Sequence, residues 1–487
     1  MTQPPITLLE QPGSLTALAV AYSIVQIGGI AAALHAAFNA RSAQGSTAWA
    51  VSLIAAPLAA LPLYLIFGRN RFSGYVDARR TSDSRHLWIA EKARTICDSF
   101  RSSLPDYGGR LSSLERLAHL PFTYGNRVRV FTEGEAAFEA IFAAINQAQH
   151  YVLIQFFIVR NDALGEELKS LLIDKANAGV AVYFLVDEMG SRSLSSEFVR
   201  DLRRAGARIE KFRSSKGWFN RFQINFRNHR KIVVADGDLA FSGGLNVGDE
   251  YRGRVPRFGY WRDTHIEIEG PSADALQLIF AEDWHWATGE TIELLEWETR
   301  AAATDEGTDV LVLPSGPADD VETCNLMFIH AIHSAQNRCW IASPYFVPNA
   351  EIVSALQLAG LRGVDVRILL PANPDHRLVY LASFYFMKVT GNGVRFYRYR
   401  KGFMHQKAFL IDDFGVGIGT ANLDNRSFRL NFEVTLLAVN YSLASEVEAM
   451  FEADFVNADQ VRHDEIDDRG MFFKLGAAGA RLLAPIL

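Results

Sequence analysis

Cysteine is scarce in this chain. Its three cysteines among 487 residues, Cys97, Cys324 and Cys339, lie far apart. With no paired spacing, they argue against a disulfide framework and against a cysteine-based zinc site. Cys339 sits in an apolar strand pattern and reads as core. The 12 histidines include no H-E-x-x-H or similar ligand spacing, so the sequence makes no case for a resident metal. His330 and His333, three apart on an expected helix, read as a structural or solvated pair. Positive charge is not in excess either. The balance of 49 Lys and Arg against 55 Asp and Glu leaves a net charge of −6, which argues against bulk nucleic-acid binding. The first basic residue is Arg41. The apolar N-terminus therefore lacks the basic start of a cleaved secretory signal.

What the N-terminus does contain is two uncharged runs, residues 15–38 and 48–67. Each reaches the roughly 20 residues that cross a bilayer. Pro57 and Pro62 damage a soluble helix but are tolerated in a membrane helix. Trp49 and Tyr64 stand near the ends of the second run, where interfacial aromatics belong. Gly28-Gly29 reads equally as a close-packing surface between the two helices or as plain helix composition. The intervening loop holds only Arg41, whereas Arg69, Arg71, Arg79 and Arg80 follow the second run. The positive-inside rule then predicts a membrane hairpin with both ends cytoplasmic.

A second feature occurs twice. Residues 229–236 read HRKIVVAD and residues 405–412 read HQKAFLID. Both fit H-x-K-x-x-x-x-D. Both lead to a small-residue turn ending in Asn, at Asn246 and Asn422, each 17 residues after its His. Residues two apart on a strand share a face, so His229 with Lys231, and His405 with Lys407, are expected to line one pocket. A neutral imidazole is a competent nucleophile toward phosphorus. A Lys ammonium stabilises charge on the non-bridging phosphate oxygens, and the Asn amide is a further donor. Two histidines supply a nucleophile and a general acid, both with an ordinary pKa near working pH.

The duplication extends past the motifs. Ala144-Ile145 before the run 151–157 is matched by Ala331-Ile332 before 339–345, and Ala178-Gly179-Val180 by Arg362-Gly363-Val364. Each half therefore reads as the same alternating α/β unit, with one shared site on a pseudo-twofold axis between them. Basic residues flank both motif histidines: Arg221, Arg227 and Arg230 around the first, and Arg395, Arg398, Arg400 and Lys401 among aromatics before the second. These are expected to favour a phosphate-rich substrate. The segment 69–125, with Lys92, Arg94, Arg101, Arg110 and Arg116, reads equally as an amphipathic piece on anionic lipid or a solvated helical linker. The stretch Phe472-Phe473-Lys474-Leu475 with Leu482-Leu483 reads as touching lipid or packing on the second unit.

The paired motifs resemble the phospholipase D superfamily, and the surrounding residues narrow the resemblance to the bacterial cardiolipin synthases. The supporting segments are Gly248-Asp249-Glu250-Tyr251, Trp261-Arg262-Asp263-Thr264-His265, Ser343-Pro344-Tyr345-Phe346-Val347-Pro348, Gly402-Phe403-Met404-His405 and Asn422-Leu423-Asp424-Asn425-Arg426-Ser427-Phe428. The resemblance covers nearly the whole chain. It implies metal-independent and cofactor-free transfer of a phosphatidyl group between two phosphatidylglycerols through a phosphohistidine, giving cardiolipin and glycerol. It implies His229, Lys231, Asp236, His405, Lys407 and Asp412 as the catalytic motif set. His229 is favoured as nucleophile and His405 as acid. Asn246, Asn422, Asp263 and Glu433 support them, the last two orienting the histidines, while Asp236 and Asp412 look more like structural supports. The implied fold is α/β: two phospholipase D-like α/β/α sandwich domains, 126–300 and 301–487, after a membrane hairpin (1–68) and a juxtamembrane linker (69–125). Expected partners are phosphatidylglycerol and other membrane phospholipids in a bacterial inner membrane, with no nucleic acid. A homo-oligomer is compatible with the sequence. Hydrolysis of phospholipids is the nearest rival activity. A membrane-tethered nuclease and a non-catalytic lipid-binding scaffold are more distant ones.

Overall fold

The computed structural model describes residues 12–40, 43–68, 72, 84–105, 109–213, 225–297, 301–302, 307–391 and 393–486. The chain forms two compact units, one of residues 1–74 with 214–226, the other of residues 75–213 with 227–487. Arg41, Arg69, Arg71, Arg79, Arg80 and Arg221 lie outside the described residues.

In the smaller unit, α1 (Pro12–Asn39) is one continuous apolar helix. Its stretch Leu15–Asn39 is long and apolar enough to cross a membrane. The second apolar run differs from the expected single helix. It forms α2 (Ala43–Ala55) and α3 (Pro57–Phe67), separated at Ala56. The cause is Pro57, which lacks an N–H and pushes the preceding residue out of the α region, here to φ −141° and ψ 60°. Ala33 and Ala36 of α1 pack with Leu53, Ala60 and Tyr64. Gly29 is required at this contact, because a Cβ there would fall 2.5 Å from the Leu53 carbonyl oxygen. His35 Nδ1 and the Tyr64 hydroxyl are hydrogen-bonded at 2.7 Å.

The larger unit holds the duplicated α/β pattern. Its first half contributes β1 (Thr123–Glu133), β2 (Tyr151–Phe156), β3 (Ala181–Asp187), β4 (Arg208–Phe212), the short β5 (Arg227–Asn228), β6 (Ile232–Ala235), β7 (Leu239–Gly243) and β8 (Trp261–Glu269). The second half contributes β9 (Thr308–Ser315), β10 (Arg338–Ala342), β11 (Phe346–Val347), β12 (Asp365–Pro371), β13 (Val394–Tyr399), β14 (Phe403–Met404), β15 (Ala408–Ile411), β16 (Gly415–Gly419), β17 (Leu423–Asp424), β18 (Asn431–Val439) and β19 (Ala458–Val461).

Strand order shows the duplication. The first sheet runs β4-β3-β2-β6-β7-β8-β1, with β2, β3 and β4 parallel and the rest antiparallel. The second runs β19-β13-β12-β10-β15-β16-β18-β9, with β10, β12 and β13 parallel in the same places. β1 and β9 meet antiparallel, at Thr123 opposite Val310.

β2 is buried at every position, as a strand covered on both faces must be. Val152, Ile154 and Phe156 face a core that includes Phe138 and Ile141 of helix Gly134–Gln147 and Leu164, Leu168 and Leu172 of helix Ala163–Asn177. On the opposite face, Tyr151 and Gln155 hydrogen-bond Gln277 and Asp283 of helix Pro271–Thr288. This half is therefore an α/β/α sandwich. In the second half Trp340 packs against Phe451 and Phe455 of helix Tyr441–Val456.

The described part of segment 69–125 packs on protein. Helix Ser84–Ser99 buries Ala93 and Cys97, and helix Arg110–Ala118 buries Leu114 and Ala118. Arg101 is paired with Asp98 at 2.8 Å and Glu115 at 2.5 Å.

Candidate active site

The two motif histidines are brought together by a strand exchange. β5, just before His229, pairs in parallel with the start of β18 in the other half, and the His229 amide donates to the Phe432 carbonyl at 2.9 Å. Reciprocally, β14 pairs with the start of β8, and the His405 amide donates to the Arg262 carbonyl at 2.8 Å. The residue that follows each accepting carbonyl is an acid. As a result Glu433 Oε2 lies 2.8 Å from His229 Nδ1, and Asp263 Oδ2 lies 2.8 Å from His405 Nδ1. Each histidine is thus oriented by a carboxylate from the opposite half. With Nδ1 engaged, Nε2 is the ring nitrogen left for a substrate.

Small residues in the turns after β7 and β16 make room for this. A Cβ at Gly244 would stand 1.9 Å from Asp263 Oδ1. At the equivalent position of the second half, Thr420 instead donates its hydroxyl to Glu433 Oε2 at 2.6 Å. Glu433 also accepts from Ser427 at 2.8 Å and Asn431 at 3.1 Å. Asp263 accepts from the Thr264 amide at 2.8 Å. The two histidines are therefore similar but not equivalent.

Both histidines line one cavity of about 580 Å³. Asn246 and Asn422 line it too, as do Phe157, Tyr251, Trp261 and Tyr345. Asn246 is already committed: its Oδ1 accepts from the Ile158 amide at 3.0 Å and its Nδ2 donates to the Tyr251 hydroxyl at 2.9 Å. Asn422 Oδ1 is buried with no hydrogen-bond partner among the described residues. The sequence missed Arg160, Arg257 and Arg426 as cavity-lining cations; among the described residues of the expected set, only Arg227 lines the cavity. Arg426 was signalled by its place in the Asn422–Phe428 segment, whereas Arg160 and Arg257 carry no local signal.

The lysines do not line the cavity with the histidines, as strand alternation had predicted. Each lies buried behind its ring. Lys231 Nζ donates to the His229 carbonyl at 2.6 Å, and Lys407 Nζ lies 2.9 Å from His405 Nδ1. The break between β5 and β6, and between β14 and β15, interrupts the two-residue alternation at each motif.

Asp236 and Asp412, counted with the catalytic motif from sequence, lie at the far ends of β6 and β15 and are not part of the cavity. Asp236 accepts from the Gln149, His150 and Tyr151 amides at 2.6–2.8 Å. Asp412 does the same for Gln336, Asn337 and Arg338 at 2.7–3.2 Å. Both hold positive φ, 51° and 50°. They fasten the entry of β2 and β10 to the motif strands.

The middle residues of the motifs are anchors as well. Arg230 is buried against Asp283 at 2.8 Å. Gln406 donates to Asp454 at 2.8 Å, and Asp454 also holds Arg262 at 2.8 Å. Arg230 therefore supports the fold, contrary to its reading as a phosphate-binding cation. The same correction applies before the second motif. Arg395 pairs with Asp365, Arg400 with Asp459 at 3.0 Å, Lys401 lies over Tyr260, and Arg398 is buried on Ser383 at 2.9 Å. None of the four lines the cavity.

Burial dominates the electrostatics. It lowers His229 to about 4, with Lys231 and Lys407 adding to the depression and Glu433 opposing it. Burial and Lys407 also hold His405 below its ordinary value. Burial brings Lys231 down to about 7 and Lys407 to about 8. For Asp263 and Glu433, burial acts upward but is outweighed by the neighbouring lysine and histidine charges, so both remain ionised. A neutral ring held at Nδ1 by an ionised acid can attack through Nε2, and an imidazolium ring held the same way can give up its Nε2 proton.

Residues 141–284 and 328–455 match the family model described as cardiolipin synthase, PLD-like domain. The chain is 48% identical over 474 residues to Cardiolipin synthase A of Pseudomonas putida (strain W619), covering 95% of this chain and 97% of that one. It is 47% identical over 468 residues to Cardiolipin synthase A of Pseudomonas aeruginosa (strain LESB58), covering 95% of each. Among solved structures, phosphatidylserine synthase of Haemophilus influenzae Rd KW20 superposes with a TM-score of 0.57 at 15% identity, covering 78% of this chain and all of that one; it shares the fold. With its two motifs joined in one cavity and this likeness over nearly its full length, the chain belongs to the cardiolipin synthase family of phospholipase D-like proteins.

Proposed function

We propose that this chain is a phosphatidyltransferase that makes cardiolipin from two phosphatidylglycerols. The observation that carries the chemistry is the cross-paired site: two histidines in one cavity, each held at Nδ1 by a carboxylate from the other half. His229, kept neutral by burial, attacks phosphorus through Nε2. The P–O bond to the headgroup glycerol breaks, and His405, entering this step as the imidazolium held by Asp263, gives that oxygen its Nε2 proton. A phosphatidyl-His229 phosphoramidate and free glycerol result. His405, now neutral, takes the proton of a hydroxyl on a second phosphatidylglycerol. That oxygen attacks phosphorus, the P–N bond breaks, and cardiolipin leaves with His229 restored. Glu433 and Asp263 stabilise the transient imidazolium forms. Lys231 and Lys407 place positive charge behind the rings as charge builds on the phosphoryl oxygens. Asp236 and Asp412 support the strands.

The cavity suits phosphoglycerol headgroups, with acyl chains left at its mouth. We read the chain as a membrane hairpin (1–68), a linker (69–125) and two domains (126–300 and 301–487), with α1 as one span and α2–α3 together as the other. The apolar hairpin and the cations after it support a bacterial inner-membrane enzyme with its site on the cytoplasmic side.

Lipid mass spectrometry on purified enzyme in phosphatidylglycerol vesicles tests this reading. Cardiolipin with an equal amount of free glycerol is the expected result. Phosphatidic acid as the main product would establish water as acceptor and overturn it.

A further inference from the structure

Helix Met471–Leu482 has two apolar faces. One packs inward: Ala477 joins Phe384 and Ile466, and Ala480 joins Val347 and Ala382. The other face is bare. Phe472 is 93% exposed, Leu475 60% and Leu482 80%, and Met471 is exposed beside them. Ala478 and Gly479 continue that face into open space. The positions 471, 472, 475, 478, 479 and 482 follow the helical repeat and form one stripe. The only charges from Met471 to the end of the chain are Lys474 and Arg481, both basic and seven apart, hence on the same side of the helix. Lys474 Nζ reaches the Asp467 carbonyl at 2.8 Å, and the Arg481 guanidinium lies 3.9 Å from the Tyr385 ring.

The helix it packs on, Arg377–Thr390, leads directly from the active-site cavity. His376 and Val379 line that cavity, while Leu378 between them is about half exposed. Val379 also packs against the cluster that holds Ala480 and Ala484. The bare stripe and the cavity mouth are thus connected through one helix.

We propose that the outer face of Met471–Leu482 seats on the anionic surface of a lipid bilayer and brings the cavity mouth to the headgroup layer. This deepens the reading given above and rests on it for the identity of the substrate. Phe472, Leu475 and Leu482 enter the acyl boundary, and Lys474 and Arg481 meet lipid phosphates, the arrangement of an interfacial helix. A second copy of the chain is disfavoured as occupant, because two such stripes would bring four like charges together.

The test uses the full chain in phosphatidylglycerol vesicles. Cys97, Cys324 and Cys339 are all buried, so Phe472→Cys supplies the one surface thiol for a bimane label. Brominated acyl chains should quench this label, and aqueous iodide should reach it far less than a label on Arg462→Cys, whose side chain is 67% exposed. Equal iodide access at both positions would overturn the proposal. So would shielding from both quenchers, which would assign the face to a protein partner. A second variant, Phe472→Glu with Leu475→Glu, should raise the vesicle-surface KM about tenfold, the factor expected when a buried apolar side chain of this size is lost, and leave kcat on short-chain monomeric lipid unchanged. An unchanged surface KM would contradict the proposal. Cardiolipin formation is read in the same vesicles. Turnover with an iodide-exposed label would sink the helix proposal alone, and a lipid-buried label without cardiolipin would sink the enzymatic reading alone.

Discussion

Glu433 of the second half holds the His229 ring of the first at 2.8 Å, and it does so because β18 takes β5 of the other half as its neighbour. Asp263 and His405 repeat the relationship in reverse. Neither half contains a complete site. The carboxylate variants should show this. Glu433→Gln or Asp263→Asn keeps the volume but removes the charge that stabilises an imidazolium. Each should lower kcat by roughly 10²–10⁴, measured as cardiolipin release in vesicles, and each should affect the histidine of the opposite half, read by NMR titration of the ring.

The pH dependence follows from burial. With His229 lowered to about 4, the nucleophile is neutral throughout the neutral range, so the acid limb of kcat/KM should lie near pH 4. Lys231 and Lys407, lowered to about 7 and about 8, lose their charge on the alkaline side, and turnover should fall there. Stability has its own window. The unfolded His229 binds a proton near its ordinary 6.5 and the folded one does not until about 4. The unfolded state therefore takes up more protons between these values, and stability should fall as pH drops from about 6.5 to about 4. Denaturant melts at several pH values, compared between wild type and His229→Gln, check the sign.

Gly244→Ala places a methyl 1.9 Å from Asp263 Oδ1. Asp263 must move, and His405 loses its support. We expect kcat to fall about 100-fold, the loss that a displacement of about 1 Å can cause at a reacting centre, with substrate binding by equilibrium titration little changed.

Asp236→Asn and Asp412→Asn test a structural role. Each removes a carboxylate that accepts from three backbone amides, at a backbone conformation Asn tolerates. Each should cost about 1–3 kcal/mol of stability, seen in chemical denaturation, while kcat per folded molecule stays near that of wild type.

Much of the site was legible from residue identity alone. The two H-x-K patterns, the equal spacing to Asn246 and Asn422, and the mirrored strand runs predicted two like halves around one cavity. Asp263 and Glu433 came from the family resemblance, carried over to these positions. Which histidine each serves was not legible, because the exchange of β5 and β14 between halves depends on tertiary pairing rather than local pattern. Strand alternation placed the lysines in the cavity and failed where the motif leaves its strand at His229 and His405. The basic run Arg395–Lys401 misled for a related reason: its cations find partners in Asp365, Asp459, Tyr260 and Ser383, all distant in sequence. Arg160 and Arg257 reach the cavity from loops with no periodicity to read. In the apolar hairpin the break at Ala56 was implicit in Pro57, whose ring restricts the residue before it.

The most direct test of the central claim is to trap the covalent intermediate. His405→Ala and His229→Ala enzymes would each be incubated with radiolabelled phosphatidylglycerol, denatured, and mapped by mass spectrometry. The account predicts an acid-labile phosphatidyl group on His229 in the His405→Ala enzyme, none on His229→Ala, and no cardiolipin from either. Label on His405 in the His229→Ala enzyme would reverse the assigned roles, and steady cardiolipin synthesis by either variant would contradict a single site built from both halves.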